Sequence, residues 1–345
     1  MEPSQTSKRK LVSICKIEDI LPIEGNSEKV VLLIKGWKVL ALANKFNKGD
    51  LVVFCEIDSF IPEFLAPELC KGKNLTTFNG VSGSIVKTFN YKKVTMQGHV
   101  FPMSVLPEYG KREYQEGEEV TKVLGILKYE EEAPDPQDNG SETKKFPDFI
   151  PKTEQERVQN INYKLSELKG MKLEITEKCD GNSMTAYSKD GHYANCSRNC
   201  ELHKGADKGY GTMAKHYKLE EKLRKLGKNY AIQGEVIGEG ILGYRYKIKG
   251  KDFYVFNVYD IDAKRFLTPV ERRKLTDELG LKHCPVVNES YEFTGEETVE
   301  SLLAMAEGKS LLNESVGREG LVFKSLDGEF SFKVISNEYL KTKTH

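Results

Sequence analysis

The sequence of 345 residues has no run approaching the roughly 20 apolar residues that a helix needs to cross a bilayer. Its opening stretch, MEPSQTSKRKLVSICKI, lacks the apolar core of a secretory signal. A soluble, intracellular protein of cytoplasm or nucleus is expected, with no membrane partner. Net charge is also missing: 52 basic side chains stand against 52 acidic ones. No global field draws a polyanion, so any nucleic-acid contact must be a local patch. Cysteine is sparse. The seven, at 15, 55, 70, 179, 196, 200 and 284, show no C-x-x-C spacing, which argues against a disulfide framework and for buried thiols. Cys196-x-x-x-Cys200-x-x-His203 has unusual spacing and no fourth ligand nearby, so zinc is disfavoured. The glycines of QGEVIGEGILGYRY lack the terminal G-K-S/T of a phosphate loop and read as turns.

What is present divides into two halves. From Leu11 to about Leu127, short β-rich runs alternate with turn residues: VVLLIKGWKVLAL, GDLVVFCEIDSFIP, SIVKTFNYKKV and VTKVLGILKY. Short strands separated by Gly, Asn and Pro indicate a small barrel or sandwich. An oligonucleotide-binding (OB) barrel fits that size, as do other small β-barrels. YEEEAPDPQDNGSETKK is acidic, rich in turn residues and almost free of apolar ones, the composition of a solvated linker. Beyond it the periodicity predicts a helix over 153–170, strands over 171–188, 230–238 and 252–262, and helices over 212–227 and 269–280. The class is α+β: an OB-like domain over 1–128, a linker over 129–146 and an α+β domain over 147–345.

The chemistry concentrates in the second half. Glu177-Lys178-Cys179-Asp180-Gly181 closes an apparent strand. A lysine in such a setting is costly to desolvate unless compensated, and burial or a nearby cation can lower its pKa and free its lone pair for attack. Taken alone, KCDG is equally a strand end with a turn. Four further strand-like segments follow: Gln233-Gly234-Glu235, the aromatic run 252–260, Arg318-Glu319-Gly320-Leu321-Val322-Phe323-Lys324 and Phe330 to Ile335.

With Ser197-Arg198-Asn199, these segments resemble in order the motifs of the covalent lysyl nucleotidyltransferases: ATP-dependent DNA ligases, RNA ligases and mRNA-capping guanylyltransferases. Lys178-Cys179-Asp180-Gly181 is similar to the nucleophile motif K-x-D-G. DNA ligases and capping enzymes carry an arginine five residues past that lysine, where this chain has Ser183, and they continue into a C-terminal OB domain for which the twelve residues after Lys333 leave no room. The run Pro151 to Asn160 looks like the segment preceding the nucleophile in nick-sealing RNA ligases. Many relatives have a second basic residue where this chain has Ile335.

The resemblance implies an ATP-dependent RNA ligase with an OB-like domain in front of an adenylyltransferase domain. Lys178 would carry covalent AMP from ATP, with Lys333 and Arg198 also catalytic. Glu177, Arg198, Phe256, Val322, Lys324, Lys333 and Arg157 would bind ATP: Phe256 stacking adenine, Val322 opposing it, Glu177 meeting the exocyclic amine and the cations holding phosphates. Asp180, Glu235 and Glu319 would hold Mg²⁺ or Mn²⁺ through its waters, since Mg²⁺ gives up waters reluctantly. Phe253 and Val255 read as core. RNA strand ends, at nicks in duplexes, are the expected partner, and no protein partner is inferred. In the first domain Lys35, Lys38, Lys45 and Lys48, or Lys87, Lys92 and Lys93, could face the duplex, although lysines on strands more often keep edges soluble. The competing readings are a DNA ligase, a guanylyltransferase, or a nucleic-acid-binding protein that keeps a dead transferase fold.

Overall fold

The computed structural model describes residues 10–129, 144–153, 155–202, 209–241 and 244–342. The chain divides into two compact units, Met1–Ala133 with Leu340–His345, and Pro134–Tyr339. Most of the expected linker lies outside the described residues. Among the described residues no helix is long and apolar enough to cross a membrane.

The first unit is built from antiparallel strands. Leu51–Cys55 runs between Val12–Lys16 and His99–Pro102; Val53 and Cys55 enter one core cluster and Val52 and Phe54 another, so both faces are covered and its sequence, LVVFC, is apolar throughout. Asn26–Ile34 and Trp37–Leu42 form a hairpin whose two turn residues, Lys35 and Gly36, both have positive φ (49° and 76°), the tight turn that matches strand twist. It delivers Trp37, fully buried, against Phe54 with ring centroids 6.1 Å apart. Ser59–Pro62, Val81–Ile85, Thr76–Phe78 and Leu127–Lys128 make a four-stranded sheet. The run VTKVLGILKY yields only that last short strand. Its middle coils into turns, with Leu124 N donating to Val120 O and Ile126 N to Thr121 O, and buries Val120, Leu124 and Ile126 regardless.

The second unit contains two largely antiparallel sheets. One orders Lys144–Lys145, Cys200–Glu201, His192–Cys196, Asn182–Lys189, Tyr230–Gly238, Lys251–Asp260 and Arg265–Phe266, with Lys282–His283 alongside Lys251–Asp260. The other orders Glu156–Arg157, Ser331–Ile335, Gly320–Ser325, Lys172–Glu177 and Val286–Glu292. The strand predicted over 171–188 is therefore two strands, one in each sheet. The helix predicted over 153–170 is a 3₁₀ helix, Val158–Leu168, burying Val158, Ile161, Leu165 and Leu168. The helix predicted over 212–227 breaks into Tyr210–His216 and Leu219–Leu226 because Lys218 is left-handed (φ 51°). Pro269–Glu278 starts where Thr268 and Glu271 form a reciprocal capping box with proline in the first turn.

Candidate active site

Lys178 stands where the chain crosses from one sheet of the second unit to the other, between Lys172–Glu177 and Asn182–Lys189. Two backbone contacts fix the crossing: Lys178 N donates to Gly320 O (2.9 Å) and Asp180 N to the Tyr246 hydroxyl (2.8 Å). Two glycines let strands approach closely. A Cβ on Gly181 would lie 2.3 Å from Val236 O, and one on Gly320 would lie 2.2 Å from Val334 O. The approach brings Glu235 and Glu319, from different sheets, to the lysine. Lys178 Nζ pairs with Glu319 Oε1 at 2.8 Å, while Glu319 Oε2 is buried with no hydrogen-bond partner.

Electrostatics follow from that crowding. Burial alone would lower the Lys178 pKa, but the carboxylates of Glu319, Glu235 and Asp180 prevail and hold it above the ordinary lysine value. Glu235 is pushed up to about 8, by burial first and then by Glu319 and Asp180, with Lys178 opposing. Glu319 is raised for the same leading reason. Three acids thus crowd Lys178, with Arg198 acting on Glu235 and Lys333 on Glu319 as further positive charges, and one buried carboxylate oxygen, Glu319 Oε2, has no hydrogen-bond partner. That set fits a hard divalent cation, whose preferred donors are carboxylates and water. Among the described residues no three His, Cys, Asp or Glu side chains converge as direct metal ligands. Cys196 and Cys200 belong to no such group either; His203 lies outside the described residues.

A cleft on the first sheet is lined by Ser183, Thr185, Gln233 and Phe256 from its strands and by Arg198, Phe146, Lys152 and Thr153 from the segments flanking it. Arg198 projects from the turn Ser197-Arg198-Asn199, which the Ser197 hydroxyl closes by accepting from Cys200 N (3.2 Å). On the second sheet Thr176, Val322, Lys333 and Arg157 stand abreast on four adjacent strands. Phe253 and Val255 are fully buried, as expected of core residues, while Phe256 is half-buried.

Comparison with known proteins agrees with this arrangement. The RNA ligase family model matches residues 171–335, and an OB-fold domain model matches residues 11–103. Solved structures of Naegleria gruberi RNA ligase with AMP and manganese, and with pyrophosphate, each share 42% identity, cover 97% of this chain and 99% of theirs, and superpose with a TM-score of 0.87. A mutant of that ligase with ATP and manganese shares 41% identity over 96% of this chain and 99% of its own, at a TM-score of 0.88. The chain belongs to the RNA ligase family. A search of curated protein sequences finds no match. The first unit of the ligase contains the expected OB fold, and the second is the expected mixed α+β domain.

Two residues expected to contact the nucleotide make hydrogen bonds within the protein. Glu177 is buried, one oxygen accepting from the Ser310 hydroxyl (2.5 Å) and the other from Leu311 N (2.7 Å). Its carboxylate is occupied in anchoring a loop because Glu177 sits on the strand face opposite the cleft-facing Thr176. Lys324 shares the strand face of Val322, two residues before it, and its amine donates to Phe256 O (3.2 Å) and to Asn257 Oδ1. Sequence reasoning missed Gln233 and Asn257. Gln233 lies two residues before Glu235, hence on the same strand face, and the period of two was the available signal. Asn257 was visible as a polar residue inside the apolar run FYVFNVY. Tyr246 carried no signal, since its hydroxyl meets Asp180 only through the fold.

Proposed function

We propose that this RNA ligase forms a lysyl-AMP on Lys178 from ATP, passes AMP to an RNA 5′-phosphate, and seals the strand by attack of a 3′-hydroxyl, at nicks in duplexes. The observation that carries the reading is Lys178, held 2.8 Å from Glu319 among three acidic residues, with Arg198 and Phe256 lining the adjoining cleft. Solved mutants of the Naegleria ligase alter a lysine, an aspartate two residues after it, an arginine before it and a glutamate beyond it, at the same intervals as Lys178, Asp180, Arg157 and Glu235. A second altered glutamate stands at an interval one residue longer than that of Glu319. The domains of this reading are 1–128, OB-like and gripping RNA, a linker over 129–146, and 147–345, the adenylyltransferase.

In the first step the neutral Lys178 amine attacks the α-phosphorus, forming the N–P bond as the bond to pyrophosphate breaks. Phe256 and Val322 hold adenine between them, a contact worth about 1–3 kcal/mol for one stacked base. Arg198, Arg157 and Lys333 orient the phosphates, the guanidinium groups as forks and the lysine as a point charge. Asp180, Glu235 and Glu319 would hold Mg²⁺ or Mn²⁺ through water. Bound there, the ion would offset the negative charge that keeps Lys178 protonated and would stabilise charge gathering on the α-phosphate. In the later steps the RNA 5′-phosphate attacks the AMP phosphorus and releases Lys178, and the 3′-hydroxyl then attacks that 5′-phosphate and expels AMP, with the same cations orienting the phosphates.

The test is incubation with α-labelled ATP or, separately, GTP plus a divalent metal, followed by a denaturing gel. Label from ATP alone, absent in Lys178→Ala, is the expected result, followed by sealing of a nicked duplex with an RNA 3′-end. Protein that is folded, free of AMP at the start and unlabelled by either nucleotide overturns the lysyl-AMP reading. Equal sealing of DNA 3′-ends overturns the RNA preference.

A further inference from the structure

A continuous chain of polar contacts runs along the nucleotide cleft, with Gln233 and Thr153 among the residues that line it. At one end Glu174, fully buried, pairs with Arg272 (2.6 Å) and with Arg273. Arg272 Nη1 then donates to Phe256 O (3.3 Å), the same carbonyl that accepts from Lys324 Nζ (3.2 Å). Lys324 also donates to Asn257 Oδ1, and Asn257 Nδ2 donates to Thr153 Oγ1 (2.9 Å) and Gln233 Oε1 (3.3 Å). Thr153 Oγ1 donates to Gln233 Oε1 (2.7 Å), and Gln233 Nε2 donates to Pro151 O (3.0 Å). Phe256 lines the cleft from a strand, and Lys152, flanked by the two pinned residues Pro151 and Thr153, lines it from the segment before Val158–Leu168.

A lysine deep in a fold is costly unless its donors are used. Here burial, followed by repulsion from Arg272, brings the Lys324 pKa down to about 7. What the fold gains from it is geometric. The backbone carbonyl of the aromatic residue is clamped by the Arg272 and Lys324 side chains, and the amide of the next residue links that clamp to Thr153 and Gln233.

We propose that Lys324, acting through Asn257, is a positioning residue that fixes Phe256 as the adenine platform and sets the Pro151–Thr153 wall against it, and that it does not contact phosphate. The inference rests on Phe256 stacking adenine, as proposed above. A phosphate ligand would act chiefly on the chemical step. A residue acting through Phe256 alters nucleotide affinity, and its effect vanishes once the platform is gone, because coupled residues are non-additive.

The experiment is a double-mutant cycle on adenylylation by full-length protein, with KM for ATP and kcat measured separately for Lys324→Met, Phe256→Ala and the double variant. Lys324→Met is expected to raise KM roughly tenfold, part of the stacking contribution, with kcat changed much less. In the Phe256→Ala background the further rise should fall below about twofold. Asn257→Ala, which breaks the amide link from Lys324 to Thr153 and Gln233 while leaving Lys324 its bond to Phe256 O, should raise KM similarly and serves if Lys324→Met does not fold. An additive cycle, or a fall in kcat with KM unchanged, overturns the positioning role while leaving the stacking intact. A Phe256→Ala variant with normal KM overturns the stacking itself and the inference with it.

Discussion

Lys178 Nζ lies 2.8 Å from Glu319 Oε1, and the same two segments are tied through the backbone, Lys178 N donating to Gly320 O at 2.9 Å. Nucleophile and carboxylate are thus held as one unit, although 141 residues separate them in sequence. The consequence is a poised but protonated amine. Without metal, Lys178 Nζ should react with an amine reagent only at strongly alkaline pH, since its pKa is held above the ordinary lysine value. Added Mn²⁺ should move the midpoint down, and so should Glu319→Gln, which removes the nearest negative charge. Site-resolved mass spectrometry of reductive methylation across pH measures it. A metal-free midpoint below that of ordinary lysines contradicts the assignment.

Glu235 gives a prediction of opposite sign for stability. Its folded pKa, about 8, stands above the ordinary 4.5, so the folded state binds the extra proton between those values. The stabilisation is fully present below pH 4.5 and is lost as pH rises to about 8. Glu235→Gln keeps the neutral shape at every pH. The variant should therefore melt close to wild type near pH 4.5, and several degrees higher above pH 8, in the absence of metal. Adenylylation should fall at the same time. Melting curves at the two pH values decide it, and equal differences at both would remove Glu235 from the strained cluster.

Gly181 is required by crowding. Its Cβ position is 2.3 Å from Val236 O and 2.7 Å from the Ile237 side chain, and a backbone oxygen cannot swing aside. Gly181→Ala should destabilise by about 1–3 kcal/mol, the usual cost of overpacking, and should displace Lys178 from Glu319. Thermal unfolding and labelling by ATP should both be impaired. A variant with wild-type melting and labelling would mean the crossing is looser than these distances require.

The residues of the site were legible from their order along the chain, because their backbone pattern, strand then polar end, repeats with recognisable neighbours. Their spatial arrangement was less so. Val322, Lys333 and Arg157 become neighbours only through strand pairing, including the parallel pairing of Arg157 with Lys333, and register between distant strands has no local signature. Parity along one strand was legible, but what each side chain meets was not. Glu177 lies one residue past Thr176 and points to the other strand face, whereas Lys324, two residues past Val322, shares that residue's face and is engaged by Phe256 O and Asn257 Oδ1. The barrel half was legible as β-rich, but Val120–Ile126 uses its apolar residues in turns, where composition alone reads the same as strand.

Glu177 offers the sharpest division between base recognition and support. Both carboxylate oxygens are already engaged, by the Ser310 hydroxyl and by Leu311 N, and both residues lie far along the chain on the segment before Glu319. Glu177→Gln replaces one acceptor by a donor that faces another donor, which leaves a buried group unsatisfied and costs about 1–3 kcal/mol. Ser310→Ala removes only one partner and should cost less. If support is the role, both variants melt earlier and both still take label from ATP in preference to GTP, because the adenine face is untouched. If Glu177 instead reads the exocyclic amine, Glu177→Gln shifts the ATP-to-GTP labelling ratio while Ser310→Ala leaves it alone. The geometry predicts the first outcome, and labelling with each nucleotide beside a melting curve measures it.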